Sequence, residues 1–596
     1  PKIYGKELLP EKRIEVLNEY VHQRYLECEN KETADLRQEF YEKCRDAKLS
    51  KERMVLCRGV TGIGKTTSTG ASALNVAKKI NARGIIATMP FTNIIDQNVE
   101  VYRNSLCLPG ENPDYVVTEH HLNTEFKGVF YKKFVSSWNA PFVVTSSAQF
   151  FESLFHYKPY KLCKIHNVAG KVIIIDEMHS SLPYRLWPSA LTMLKDLVDN
   201  WGCYVIFCSG TLVKFWEMKE FAKINEKGNS VFFGKIKNII SRSLESRIMK
   251  REKLRVNTYR KKGKLSPKKL ISWLKKPVNK PKLVIMNTIK NAAITAYLLE
   301  KEIGKGNIYH LSTAQDPNTR SCIIREVITR LIEKPNDNFI LVATNCVECG
   351  VDFSFQWVAR EGDKSCSLLQ AKGRCNRNHE NPNGGDFWIF EIDKNKLEFD
   401  SEEIKFTEDP HRNTARRIAL ENIKLSPKNI TRAVKKEIES LRDKNNLPLY
   451  EDNFLVKEEI NKNFITVKNG KYAYTLSGKE KIESGFKVIE NFNITVLISL
   501  EILEKISKNE FVSFKDIQRN CVPMNPSVFK YYSKIEAISE IEIKDPYKDE
   551  EDDEEEEKED KIFFLNPIYY SEFLGYMHGM IMNELEPEKI IRFLIL

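Results

Sequence analysis

From position 54 the chain alternates short, almost unbroken apolar runs with stretches of helical periodicity. MVLCR (54–58), GIIATMP (84–90), FVVTSS (142–147), KVIIIDE (171–177) and CYVIFCSG (203–210) read as strands buried on both faces. Such runs separated by helices predict a parallel sheet with crossover helices. A second set follows: KLVIMNT (282–288), NIYHLST (307–313), NFILVATN (338–345) and GDFWIFEI (385–392). Two α/β units in series are therefore expected, over 51–240 and 276–400. The first 50 residues read as a helical lead-in, from the spacing in EKRIEVLNEYVHQRYLE and ADLRQEFYEKCRD. Residues 241–275 are strongly basic with few core candidates and read as a connector. RNTARRIALENI (412–423) and ITRAVKKEIESLRDK (430–444) predict a helical linker over 401–480, and 481–596 a small C-terminal domain.

A length of 596 residues is too great for one core. No apolar run reaches the length a bilayer demands, and the charged opening PKIYGKELLPEKRIEVL has no signal-peptide core. The first residue is Pro, not Met, which reads as a processed or truncated chain. Thirteen scattered cysteines fit a reducing, cytoplasmic setting. The net charge of +11 hides an asymmetry, because DEEDDEEEEKED (549–560) is itself strongly acidic and reads as a solvated loop. The rest of the chain is more basic than the total suggests, which favours a polyanionic partner.

The chemistry begins at GVTGIGKTT, directly after MVLCR and before a helical stretch. It fits G-x-x-x-x-G-K-[ST] in the strand–loop–helix setting that pattern requires. Gly59, Gly62 and Gly64, with Thr61 and Thr67, let backbone N–H groups close round phosphate oxygens. Lys65 can reach the β- and γ-phosphates of ATP, and the Thr66 hydroxyl can bind Mg²⁺. KVIIIDE ends a buried strand in two carboxylates, which calls for a cation. Mg²⁺ held through Asp176 supplies it, and Glu177 is left to orient and deprotonate the attacking water.

His179 follows two residues later, and CSGT (208–211) closes the next strand. This Asp-Glu-x-His and Ser-x-Thr pairing resembles superfamily-two helicases, with Ser209 and Thr211 directed towards His179 to couple hydrolysis to movement. QAKGRCNR (370–377) resembles that family's sixth motif, which casts Gln370 as a coupling residue and Arg374 and Arg377, one turn apart on a helix, as the arginine fork for the γ-phosphate. VATNCVECGVDFSF (342–355) resembles the fifth motif, with Gly350 and Asp352 towards nucleotide and domain interface. MPFTNIIDQ, TEHHLN, VVTSSAQFFESLF, CKIHNVAGKVIIIDEMHSSLP and GRCNR, taken in series, resemble the helicase component of type I CRISPR systems over residues 35 to about 395. ADLRQEF resembles that family's upstream Arg-containing helix, near the adenine.

The resemblance implies two tandem RecA-like domains with ATP between them. It also implies ATP-driven 3′-to-5′ movement on single-stranded DNA in antiviral defence. The partner it implies is a guide-RNA surveillance complex that has opened the target. Carried over by position, Pro90, Phe91, Thr92, Thr145, Gln149, Asn287, Thr288, Ser312, Thr313 and Thr344 line the strand, gripping phosphate without reading sequence. Hydroxyls at strand ends can equally cap helices. Family members often carry an HD-type nuclease, fused or separate; none of the ten histidines here precedes an Asp, so a separate subunit or an upstream segment is expected to cut. Two other readings compete: a DExH ATPase that remodels RNA, and an ATP-dependent clamp that holds nucleic acid without travelling.

Overall fold

The computed structural model describes residues 7–393 apart from positions 61, 122–123, 125–128, 156–163, 212, 220, 222–224, 228–229, 232 and 349. It also describes 429–445, 488, 493–543 apart from 509 and 511, 560–585, and short strand segments between 397 and 481. Thr61, the run 412–423 and the acidic stretch 549–559 lie outside the described residues. The chain divides into two compact units, one of Pro1–Leu254, Lys364–Gln370 and Thr414–Glu490, the other of Arg255–Asp363, Ala371–Asn413 and Asn491–Leu596.

The first unit opens with helices α1 (Pro10–Leu26) and α2 (Lys31–Arg45), both packed on α3 (Lys65–Ile80). Asn30 caps α2 by accepting from the Thr33 N–H at 2.9 Å. Helices α4 (Thr92–Leu106), α5 (Ser147–Leu154) and α6 (Trp187–Asp199) connect the strands. The strands are β1 (Met54–Arg58), β2 (Ile85–Met89), β3 (Val117–His120), β4 (Phe142–Ser146), β5 (Val172–Asp176), β6 (Tyr204–Ser209) and β7 (Lys237–Asn238). They form one parallel sheet in the order β3-β4-β2-β5-β6-β1-β7. Ile173, Ile175, Val205 and Phe207 are fully buried, as expected of central strands covered on both faces.

Residues 241–275 are not a connector. They form helix α7 (Arg242–Arg255), the ten-residue strand β8 (Val256–Leu265) and helix α8 (Pro267–Leu274). Strand β8 pairs parallel with the strand Gly385–Ile392 and lies at a sheet edge. Only Val256 and Leu265, at its ends, are buried, so charge along the middle of the strand costs nothing and hides it in the sequence.

The second unit continues with β9 (Lys282–Ile285), α9 (Ile289–Ile303), β10 (Ile308–Leu311), α10 (Pro317–Glu333), β11 (Ile340–Ala343) and β12 (Trp357–Glu361). Helix α11 (Ser365–Lys372), of which residues up to Gln370 pack with the first unit, precedes β13 (Gly385–Ile392). Six parallel strands run in the order β10-β11-β9-β12-β13-β8. Helix α12 (Ile430–Asn445) packs in the first unit, where Glu437 accepts from the Ser365 N–H at 2.9 Å.

Near the C-terminus, β14 (Ile494–Leu497), β15 (Cys521–Met524), β16 (Ile538–Ile543) and β17 (Asp560–Leu565) make a mixed sheet in the order β15-β14-β17-β16. Val496, Tyr532, Leu574, Tyr576 and Ile581 join the same buried cluster as Val284 and Leu298, so this sheet shares a core with the six-stranded one. Gly575 makes that junction possible. Its φ is +61°, and a Cβ there would lie 2.1 Å from the Ala314 carbonyl oxygen. Gly263 also has a positive φ, +73°, but nothing lies within 4 Å of its Cβ position. Gly575→Ala is expected to cost about 2–3 kcal/mol and Gly263→Ala about 1–2 kcal/mol, read by thermal unfolding.

Candidate active site

In a parallel sheet every strand delivers its following loop to the same edge. Register pairs Asp176 with Cys208 and Arg58 with Ser209, so β1, β5 and β6 end side by side. Loop 59–64, turn 176–179 and turn 209–211 become neighbours although they are far apart in sequence. A Cβ on Gly59 would sit 2.8 Å from Phe40 and 2.9 Å from Ile63, so only glycine fits that close approach. Gly62 and Gly64 adopt φ of +82° and +88°, which bends the loop back to start α3 at Lys65. Arg37 donates from Nε to the Gly62 carbonyl at 2.8 Å and fixes the loop from behind.

Lys65 Nζ lies 2.5 Å from Glu177 Oε1, with both side chains 16% exposed. Glu177 Oε2 accepts from the Ser209 hydroxyl at 2.6 Å, and Oε1 from the Gly210 N–H at 3.4 Å. Asp176 Oδ1 takes the Glu177 N–H at 3.0 Å. Glu177 itself sits at φ 41°, ψ 51°, a left-handed conformation that costs a non-glycine residue about 1–2 kcal/mol. Burial pushes the Glu177 carboxyl up, but Lys65 and His179 more than reverse this and hold it down at about 2. Burial also pushes Asp176 up, to about 6, with Lys65 opposing and the Glu177 charge adding to the rise. Burial works against the charge of Lys65 too, and Glu177 and Asp176 more than restore it.

Thr66 donates its hydroxyl to Asn98 Oδ1 at 2.9 Å, and Asn98 donates to the Ile94 carbonyl at 2.8 Å. The proton thus points at Asn98 and the oxygen keeps lone pairs for a cation, which suits a hard divalent metal shared with the Asp176 carboxylate. Thr67, on the exposed side, donates to the Gly64 carbonyl at 3.2 Å. His179 is buried, and burial lowers its pKa. Its Nδ1 lies 3.5 Å from Glu177 Oε2, 3.4 Å from Ser209 Oγ and 3.1 Å from Thr211 Oγ1. The Gln370 amide nitrogen is 3.0 Å from His179 Nε2 and also donates to Ser180 at 3.1 Å. An amide N–H₂ only donates, so Nε2 accepts and the ring proton sits on Nδ1, facing Glu177. Lys65, Glu177, Ser209, His179 and Gln370 form one continuous polar chain.

The second unit departs from expectation. Helix α11 ends at Lys372, so Arg374 and Arg377 follow the helix instead of lying one turn apart on it. Arg374 is buried and donates from Nε to the Val347 carbonyl at 2.9 Å and from Nη2 to that of Glu348 at 2.6 Å. Arg377 pairs with Asp352 at 2.8 Å and donates to the Val351 carbonyl at 3.4 Å. Both guanidinium groups therefore brace the turn 347–352, whose Gly350 has φ +80°, because its carbonyls need donors. Arg360, absent from the sequence reading, is fully buried and holds Glu348 and Asp363 at 2.7 Å each, together with Asn287.

Several residues expected to line a strand are occupied otherwise. Thr145 is fully buried and donates to the His120 carbonyl at 2.6 Å. Asn287 donates to the Gly362 carbonyl at 2.9 Å and accepts from Arg360. Thr288 caps α9, accepting from the Asn291 N–H at 3.1 Å. Ser312 is fully buried and accepts from the Ala314 N–H at 3.3 Å, and Thr344, 4% exposed, donates to Cys346 Sγ at 3.4 Å. Gln149 and Thr313 are half-buried, as is Pro90, while Phe91 is 44% exposed; Thr92 starts α4. Of the residues carried over as strand contacts, Thr145, Asn287, Thr288, Ser312 and Thr344 thus each make a hydrogen bond within the protein.

Comparison with known proteins agrees with this architecture. A family model described as DEAD/DEAH box helicase matches residues 42–218, and one described as CRISPR-associated nuclease/helicase Cas3, C-terminal, matches residues 279–380. A CRISPR-associated nuclease/helicase Cas3 from Haloferax volcanii is 21% identical over 433 residues, 56% of this chain and 46% of that protein. The chain thus spans about half the length of that relative. The crystal structure of T. fusca Cas3 with AMPPNP superposes with TM-score 0.58 at 14% identity, covering 81% of this chain and 64% of that one. A chain of a CRISPR RNA-guided surveillance complex, pre-nicking, gives TM-score 0.53 at 14% identity, covering 86% and 64%. The structural matches establish a shared fold. No described helix is long and apolar enough to cross a membrane.

Proposed function

We propose, from the premise that the chain is a Cas3-like CRISPR helicase with a DEAD/DEAH box helicase domain and a Cas3 C-terminal region, that it hydrolyses ATP to travel 3′ to 5′ along single-stranded DNA. The observation that carries this is the polar chain from Lys65 through Glu177 and Ser209 to His179 and Gln370. It joins a phosphate-binding lysine to an ionised carboxylate and then to a buried imidazole that senses its position. Lys65 holds the β- and γ-phosphates. Glu177, ionised at every physiological pH, takes the proton of the attacking water. Mg²⁺ would be held by Thr66 and Asp176 and would neutralise charge on the transferred phosphoryl group. Of the two arginines, Arg377 is the better suited to leave its partner for phosphate, since Asp352 is 67% exposed while Arg374 is locked on buried carbonyls.

The polynucleotide is read as the target strand opened by a guide-RNA surveillance complex in type I CRISPR interference. Cutting is assigned to an HD nuclease outside these 596 residues, which contain no His-Asp dipeptide. ATP turnover measured with matched DNA and RNA oligonucleotides tests the reading. DNA is expected to stimulate phosphate release at least about tenfold over basal, in line with a strand-coupled motor. Stimulation by RNA alone would instead establish the RNA-remodelling reading. Displacement from duplexes with a 3′ or a 5′ tail fixes polarity, and the 3′-tailed duplex is expected to open.

A further inference from the structure

Between positions 253 and 299 the sequence holds thirteen Lys and Arg and not one Asp or Glu. In the second unit this stretch builds edge strand β8 and helix α8. Acids from elsewhere neutralise only part of it: Arg260 meets Glu391 at 3.5 Å and Lys275 meets Glu302 at 2.8 Å. Lys262, Lys264, Lys268 and Lys269 are all exposed, and no described acid pairs with any of them. Pairing with β13 slips midway, where Arg260 faces Ile389 but Lys264 faces Glu391, so β8 bulges out of its ladder at Lys261–Gly263. Next to the bulge, Tyr259 is 40% exposed and stacks on Trp388 with centroids 4.7 Å apart.

We propose that the bulged edge of β8 and the adjoining start of α8 form a binding surface for single-stranded polynucleotide. The inference rests on the reading that such a strand is the substrate, and it adds a surface none of the motif residues belongs to. One or two charges suffice to stop a strand edge from pairing with another sheet. Four unneutralised lysines on two consecutive elements repel one another, and a phosphate backbone relieves that repulsion by releasing counterions. A tyrosine held rigid on one face by an indole offers its other side to a base, and this contact favours a single strand over a duplex. Charge complementarity together with an exposed aromatic therefore selects a nucleic-acid strand over an acidic protein surface.

The test uses the full chain, a fluorescein-labelled thirty-nucleotide oligothymidylate and anisotropy over a series of salt concentrations. Changing Lys262, Lys264, Lys268 and Lys269 together to Glu is expected to weaken binding more than about tenfold and to flatten the salt slope by about 2 to 3. The same four changed to Arg keep wild-type affinity, and Tyr259→Ala loses about fivefold or more. Strand-free ATP turnover and the unfolding temperature stay unchanged in all three, which separates the effect from misfolding. Binding by the Glu variant within twofold of wild type overturns the proposal and assigns the lysines to an acidic protein partner, to the chain's own acidic tract or to edge protection. If the wild type turns over ATP but never binds the oligonucleotide, the proposed function fails first.

Discussion

Lys65→Ala is expected to cut ATP turnover at least about 100-fold, the scale seen when one preorganised cationic or hydrogen-bonding group is removed from a transferring group. Strand binding should stay within a few-fold of wild type, because none of the residues carried over as strand contacts belongs to the phosphate loop. A second consequence follows from the ion pair at 2.5 Å. Glu177 is held below its ordinary pKa of 4.5 chiefly by Lys65, acting against burial. A depressed carboxylate contributes stability above its unfolded pKa, and that contribution is lost as pH falls towards its folded pKa. Without Lys65 the depression shrinks, so the unfolding temperature drops more at neutral pH than in mild acid, where the wild type has already begun to lose the same contribution. Phosphate release, anisotropy and thermal unfolding at two pH values give the three readouts. Loss of strand binding together with turnover would mean that the fold, not the site, had been damaged.

The nine apolar runs picked out in the sequence appear as β1, β2, β4, β5, β6, β9, β10, β11 and β13. They were legible because burial on both faces leaves no room for polar residues. The strands that escaped carry charge for identifiable reasons. WVARE, strand β12, ends in Arg360 and Glu361, both fully or almost fully buried; Arg360 is neutralised internally by Glu348 and Asp363, a compensation no single-strand pattern reveals. Strand β8 is charged because an edge tolerates charge. The phosphate loop and the Asp176–His179 turn were legible because their chemistry is contiguous. Arg37 was seen as part of ADLRQEF without its role, and Asn98 was not seen, since each acts on the loop or on Thr66 across a fold-dependent contact. Arg374 and Arg377 have the spacing of one helical turn, but the helix stops at Lys372, before either arginine. The hydroxyls carried over as strand contacts also have partners inside the fold that no motif reveals: Thr288 caps a helix, while Thr145 donates to the His120 carbonyl across the sheet. The junction of the C-terminal sheet with the six-stranded one depends on Gly575 meeting Ala314, a contact between segments that share no pattern.

Glu177→Gln separates a motor from a clamp. The substitution preserves shape, and with its one oxygen at the Oε2 position the Gln still accepts from the Ser209 hydroxyl, 2.6 Å away in the wild type, while its amide nitrogen cannot accept from the Gly210 N–H. The substitution removes the negative charge that lies in contact with both Lys65 and Ser209. Asp176 cannot substitute: its carboxylate is the one that would hold Mg²⁺, and one of its oxygens already accepts the Glu177 N–H. Turnover is therefore expected to fall about 100- to 10,000-fold, the usual cost of losing a general base. ATP affinity should hold or improve, since Lys65 is freed from a carboxylate that competes with phosphate for the same ammonium. His179 then faces a neutral oxygen instead of a charged one, so the signal to Gln370 weakens along with the chemistry. The strained backbone at φ 41° persists in the variant, and folding should be little changed because the strain belongs to the position and not to the charge. A motor with this defect binds ATP and DNA and opens no duplex. Duplex displacement by the Gln variant equal to that of the wild type would show that hydrolysis is idle, and would leave a clamp that grips the strand on ATP binding alone.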